Sequence, residues 1–222
     1  MSEVKNDTVL DVEEAFSKTE LYFEENKKSI LIIVGAVLAL VGFYLAYKYW
    51  YIPGEDETAK KEMFVYEKYF EQDSTLNKAI DGFTKITDDY GITPTGNLAE
   101  CYLGLSYLRK GDFEKAIEHL EEYESDDKMI GPVALGALGD AHLELGQADE
   151  AISYYLKAAD KGNNALVSPI YLKKAGFALE DQKKYEDAVK VYERIKKDYS
   201  NSDEGREMEK FIARAKTIGN LN

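Results

Sequence analysis

The strings GDFEKAIEHLEEY (111–123) and GQADEAISYYLKA (146–158) write one pattern twice, 35 residues apart. Extended backwards, NLAECYLGLSYLRKGDFEKAIEHLEEY aligns with PVALGALGDAHLELGQADEAISYYLKA. Leu103-Gly104 falls on Leu138-Gly139, Gly111 on Gly146, Ala116 on Ala151 and Leu120 on Tyr155. A third copy, PIYLKKAGFALEDQKKYEDAVKVYERI, brings Gly176 and Ala188 to the same places 37 residues further on. A loop two residues longer around Asn163 and Asn164 accounts for that offset. A weaker copy, KEMFVYEKYFEQDSTLNKAIDGFTKI, precedes them with Ala79, Phe83 and Ile86 in register. A unit of this length cannot bury its apolar face alone, so copies must stack and share a core.

Breaks at Gly91–Gly96, Gly111, Asp126–Pro132, Gly146, Gly162–Pro169 and Asn201–Asp203 cut the region into helices of ordinary length. No strand-like alternation is present. Small residues at Gly104, Gly139 and Gly176 let the first helix of a copy touch the second. Ala116, Ala151 and Ala188 serve the same end, and Tyr107, Tyr155 and Tyr192 are expected to fill the space between neighbours. Asp203–Thr217 sets Met208, Phe211, Ile212 and Ala215 against charges on the other side, as a capping helix does. The pattern resembles the tetratricopeptide repeat, a helix–turn–helix of about 34 residues. The expected fold is all-α: one N-terminal transmembrane helix, then a tetratricopeptide-repeat superhelix of about four helix pairs with a C-terminal capping helix.

The transmembrane expectation comes from SILIIVGAVLALVGFYLAYKYWY, residues 29–51. No charge interrupts Ile30 to Tyr47, a run that reaches ~27 Å as a helix, close to the hydrocarbon thickness of a bilayer. Tyr44, Tyr47, Tyr49, Trp50 and Tyr51 form an aromatic cluster at its end, and Lys27 and Lys28 precede it. A cleaved signal peptide fits poorly, because the run is long, follows an acidic segment and ends on bulky aromatics. The chain therefore divides into an acidic N-terminal segment (1–28), the span (29–51), a Pro-Gly linker (52–58) and the repeat domain (59–222). Val9, Val12, Phe16, Leu21 and Phe23 give the N-terminal segment the spacing of an amphipathic helix. Gly35, Ala39 and Gly42 lie near one face of the span, where another membrane helix would fit closely. Lysines tie at three on each flank; the two nearest the span favour an N-terminus on the cytoplasmic side.

Charge and composition narrow the function. A net charge of −14 argues against nucleic acid, which needs a basic face for its phosphates. One cysteine, Cys101, permits no internal disulfide. No nucleophile elbow, phosphate loop or zinc-binding His-Glu pattern is written. His119 is expected on a helix surface and His142 at a packing or groove position. Cys101 is expected as a buried, inert thiol, and Asp88-Asp89 and Asp126-Asp127 as solvated turns. The chain is not expected to be an enzyme, nor to hold a cofactor, metal or small-molecule substrate.

What remains is a surface for proteins. The repeat resemblance implies a groove lined by first helices. Here its candidates are Phe64, Lys68, Leu98, Cys101, Leu105, Leu108, Val133, Asp140, Leu143, Ile170, Lys173 and Phe177. A Lys/Asn clamp for a peptide carboxylate is not written, because Lys173 has no matching asparagines. An apolar groove suits an amphipathic helix or an unfolded segment.

The whole layout, with YFEENKKSILIIVGAVLALVGFYLAYKYW leading into a span and then the repeats, resembles the YfgM-like family. These are ancillary subunits of the SecYEG translocon, and the repeat phrases look most like its Bacteroidetes branch. The resemblance implies an inner-membrane anchor with the N-terminus cytoplasmic and the repeats periplasmic. It also implies Sec translocon subunits, a membrane-bound periplasmic chaperone and unfolded secreted proteins as partners. An envelope-assembly scaffold for outer-membrane or other secretion machinery is the alternative.

Overall fold

A computed structural model describes the backbone of residues 4–221 and the side chains of residues 18–221. The described chain is helical with no strand, and it divides into two compact units between Gly54 and Glu55.

The first unit is one long helix, α1 (Val4–Ala46), followed by a π-helical turn, Tyr47–Tyr51. Large apolar side chains from Leu31 to Tyr51 are exposed around the whole circumference. This is the one described helix long and apolar enough to cross a membrane. The π turn ends where Ile52 donates its N–H to Tyr47 O, one residue before Pro53. Proline cannot donate to the carbonyl four residues back and crowds it, and a widened turn relieves both effects. Gly35 and Gly42 face open space. Of the expected amphipathic face in the N-terminal segment, Val9, Val12 and Phe16 lie outside the described side chains; Leu21 and Phe23 are exposed.

The segment 52–58 is helical, forming the first turns of α2 (Ile52–Phe70), and the boundary between the two units falls inside it.

In the second unit α2 pairs with α3 (Leu76–Tyr90), α4 (Pro94–Lys110) with α5 (Phe113–Glu122), α6 (Ile130–Glu144) with α7 (Ala148–Gly162), and α8 (Ser168–Asp181) with α9 (Tyr185–Asp198). A final helix, α10 (Asp203–Ile218), packs on the last pair. The three later pairs turn in the same way. Gly111, Gly146 and Lys183 take left-handed φ of 82°, 76° and 58°. Each donates its N–H three residues back, to Leu108, Leu143 or Glu180, and the next residue donates five back, to Tyr107, His142 or Leu179. This double closure satisfies carbonyls the helix end would otherwise leave open. The third copy makes the turn with a lysine, at a steric cost that glycine avoids.

The interior is shared between neighbours, as stacking requires. Phe83, Ile86, Leu103, Leu120, Tyr155, Leu172, Tyr192, Ile195 and Met208 are all essentially inaccessible. A methyl group on Gly139 would stand 2.5 Å from the Tyr155 ring, and one on Gly176 would press closer still into the Tyr192 ring. The small residues are thus the floor on which the buried tyrosines lie. Tyr107 departs from the expectation: it is half-buried and stacks on His119, with ring centroids 5.4 Å apart.

Two three-way ties lock successive pairs. Asp140 on α6 accepts the Tyr155 hydroxyl of α7 at 2.7 Å and Lys174 of α8 at 2.7 Å. Glu180 on α8 accepts the Tyr192 hydroxyl of α9 at 2.6 Å and Arg214 of α10 at 2.8 Å. Burial, and then the acid beside each, pushes both phenols well above their usual range, so they remain neutral donors. At the other end, Asp56 of α2 is 7% exposed and accepts Thr95 N at 2.9 Å, capping α4 together with Thr93.

Candidate partner-binding surface

The second helices present apolar side chains on one face and charges on the other. Among the described residues none of α3, α5, α7 or α9 leaves a large apolar side chain exposed. The first helices differ. α6 and α8 expose Ile130, Val133, Leu143, Ile170 and Phe177, and α2 exposes Phe64 and Val65. α6 contacts α7, α5 and α4 and is apolar over most of its circumference, and the face left over is apolar too.

Part of that face is concave. Leu98, Cys101, Tyr102 and Leu105 of α4 meet Ile130 and Val133 of α6, with Phe70, Met129 and Val167 completing an apolar recess of about 370 Å³. Four sequence candidates therefore come together here: Leu98, Cys101, Leu105 and Val133. Cys101 contributes its side chain from a position 2% exposed, and burial pushes its thiol up to about 12, so it is a wall and not a nucleophile.

The other candidates lie elsewhere. Phe64 is exposed on α2 with Lys68 Nζ over its ring at 4.3 Å. Leu108 packs in the cluster of Ala116, Leu120 and Leu138. Leu143, Ile170 and Phe177 are exposed, Phe177 in edge contact with Phe211 at 5.3 Å. Lys173 stands 4.0 Å from Glu207 of α10. Asp140 is engaged in the tie between α6, α7 and α8 described above. Phe70, Tyr102, Met129, Ile130 and Val167 were not among the candidates.

The histidines are packing groups. His119 is half-buried rather than on the open surface, because its ring lies flat against Tyr107 while Nδ1 meets Glu100 at 2.8 Å. His142 stacks on Tyr154, with centroids 5.1 Å apart, and meets Gln147 at 2.6 Å. The two stacks occupy equivalent places in successive copies with the partners exchanged, since Tyr107 aligns with His142 and His119 with Tyr154. Asp127 accepts the N–H groups of Met129 and Ile130 at 2.7 Å each and so caps α6. Those two bonds hold its carboxyl below the usual range. No cluster of three or more metal-ligating side chains occurs among the described residues.

Residues 102–165 and 172–202 each match a family described as Tetratricopeptide repeat. These stretches are tetratricopeptide repeats. Solved structures agree on the fold. A crystal structure of the Podosopora anserina putative kinesin light chain nearly identical TPR-like repeats is 14% identical, with a TM-score of 0.58, and covers 73% of this chain and 87% of its own. A single-substitution variant of that protein gives 0.57 at the same identity and coverage. No curated protein matches the sequence. The fold is that of a protein–protein interaction adaptor or scaffold.

Proposed function

We propose that the chain is a membrane-anchored, non-enzymatic adaptor whose first-helix surface receives segments of other proteins. The observation that carries this is the apolar recess between α4 and α6, with Leu143, Ile170 and Phe177 exposed beyond it on α6 and α8, while the second helices leave no large apolar side chain exposed. Uncovered apolar side chains grouped in a concavity support binding, since scattered single ones do not. The helix α1 supplies the anchor, set in a bacterial inner membrane with the N-terminus cytoplasmic and the repeats periplasmic.

Within that role, association with the Sec translocon is the reading the sequence layout supports best. The adaptor would sit beside the channel and a membrane-bound periplasmic chaperone, receiving or organising secreted proteins as they emerge. A tagged full-length chain, recovered from native membranes in mild detergent and examined by mass spectrometry, tests this. Channel subunits and a periplasmic chaperone are the expected partners. Recovery of outer-membrane assembly or other secretion factors, without channel subunits, would replace the translocon role with the envelope-scaffold alternative.

A further inference from the structure

The loops that join one helix pair to the next run along a single edge of the repeat domain, and hydrogen bonds tie them in order. Asp56, near the start of α2, accepts Thr95 N at the start of α4 at 2.9 Å. Asn97 of α4 donates to Glu124 O in the next loop at 2.7 Å and accepts Glu124 N at 3.0 Å. Asn164, one loop further, donates to Lys128 O at 3.2 Å. The helices α2, α4, α6 and α8 thus begin on the same edge.

Three of these junctions turn an apolar side chain outward at the same place. Ile92, Met129 and Leu166 stand 37 residues apart and are all exposed. Leu166, at 69%, is the most exposed large apolar side chain among the described residues of the repeat domain. In each loop a polar side chain fixes the backbone beside it. Thr93 follows Ile92, donates to Tyr90 O at 2.8 Å and accepts Gly96 N at 3.0 Å. Asp127 accepts Met129 N at 2.7 Å, and Asn164 accepts Leu166 N at 2.9 Å. The fourth junction, Ser200-Asn201-Ser202-Asp203, is farthest from the span in sequence and has no such residue.

The edge also starts close to the span. On the anchor reading Tyr51 lies at the membrane surface, and Asp56 follows it by five residues. Even fully extended, that stretch reaches no more than ~18 Å. So short a tether keeps the edge at high effective concentration beside the bilayer, and contacts too weak to hold a free domain suffice. Charge does not draw the edge down. Glu124, Asp126 and Asp127 outnumber Lys128 in the middle loop, so the attraction has to come from the apolar tips.

Resting on the anchor part of the proposed function, we infer that the junction edge lies on the bilayer that holds α1, with Ile92, Met129 and Leu166 seated at headgroup level. Met129 and Val167 also border the recess, so partner segments are received beside the membrane surface.

The test uses the full chain in phosphatidylcholine vesicles containing doxyl-labelled lipid, with an environment-sensitive fluorophore on one introduced cysteine at a time. Cys101 is buried, and the unaltered chain gives the labelling blank. Ile92→Cys and Leu166→Cys report the junction edge. Lys110→Cys and Glu150→Cys report the opposite edge, at the end of α4 and the start of α7. Quenching by lipid is expected to be about threefold stronger at the junction labels. The combined variant Ile92→Gln, Met129→Gln and Leu166→Gln, read from a label at Lys128→Cys, should lower quenching to the level of the opposite edge. Replacing part of the lipid with anionic phosphatidylglycerol should weaken the contact, because the middle loop is acidic. Trp50, the one tryptophan, reports the anchor separately in the unlabelled chain. Quenched Trp50 with equally weak quenching at both edges would overturn the edge contact and leave the anchor standing. Unquenched Trp50 would overturn both. Junction labels shielded from water but not quenched by lipid would show a second copy of the chain covering the edge, and would overturn the bilayer as its occupant.

Discussion

The two helices of each pair solve different problems. The second helices, α3, α5, α7 and α9, carry charge outward and apolar residues inward, and nothing large and apolar is left over. Of the first helices α6 is apolar nearly all round, and Gly104, Gly139 and Gly176 on α4, α6 and α8 are where the second helix of the same pair presses against them. A helix needs only one apolar stripe to be held in a fold. The first helices α6 and α8 carry more than packing consumes: Ile130 and Val133 line the recess, and Leu143, Ile170 and Phe177 are exposed outside it. On the proposed adaptor role, the pairing separates stability from recognition: one helix set closes the core and the other is left to face a partner.

That separation can be broken deliberately. The largest effect is expected at Tyr192, inaccessible on the inner side of α9 and bonded to Glu180. Tyr192→Ala should cost about 3–5 kcal/mol in denaturant unfolding, since it leaves a large cavity and strands the acid. Next is the floor beneath it. Gly176→Ala drives a methyl group into the same ring and should cost about 1–3 kcal/mol.

Asp56 tests the end of the stack. Burial raises its carboxyl pKa, but hydrogen bonds from Lys60 and Thr95 outweigh this and hold it below the ordinary value. A carboxyl lowered on folding adds stability above its unfolded pKa and loses that share as pH falls through the folded one. Asp56→Asn should therefore be about 1 kcal/mol less stable at neutral pH and lose less than the parent on acidification below about pH 4. Urea midpoints followed across pH read both effects.

Lys183 offers a gain. Its left-handed φ of 58° stands where the two preceding copies have glycine, so Lys183→Gly should stabilise by about 0.5–1 kcal/mol. The smallest stability effect, and the sharpest contrast, is Val133→Glu on the exposed side of α6. It should change stability by less than about 0.5 kcal/mol while removing partner capture.

The helix pairs were legible because repetition writes the core several times over, and an error in one copy is corrected by the next. Gly139 and Gly176 announced the tyrosines that lie on them. The recess was only half legible. Leu98, Cys101, Leu105 and Val133 follow from their places on first helices, but Met129, Ile130 and Val167 sit at the junctions between copies, where the alignment looks like loop. One signal was available: Met129 and Leu166 are 37 residues apart, both exposed, at the same junction of successive copies. Asp140 looked available to a partner because sequence does not show that Tyr155 and Lys174 claim both its oxygens. His119 looked like surface because nothing in its own helix reveals that Tyr107 lies flat against it. The Pro-Gly pair in 52–58 marks where the two units divide, but sequence does not show that the backbone there is helical.

Site-specific photo-crosslinking in native membranes tests the division of labour most directly. A photoreactive residue is placed in turn at Val133 and Ile170 on first helices, and at Glu118 and Lys157 on second helices. Discrete adducts with partner proteins are expected from Val133 and Ile170, and none from Glu118 and Lys157. Adducts from the second-helix positions, with Val133 and Ile170 silent, would contradict the division.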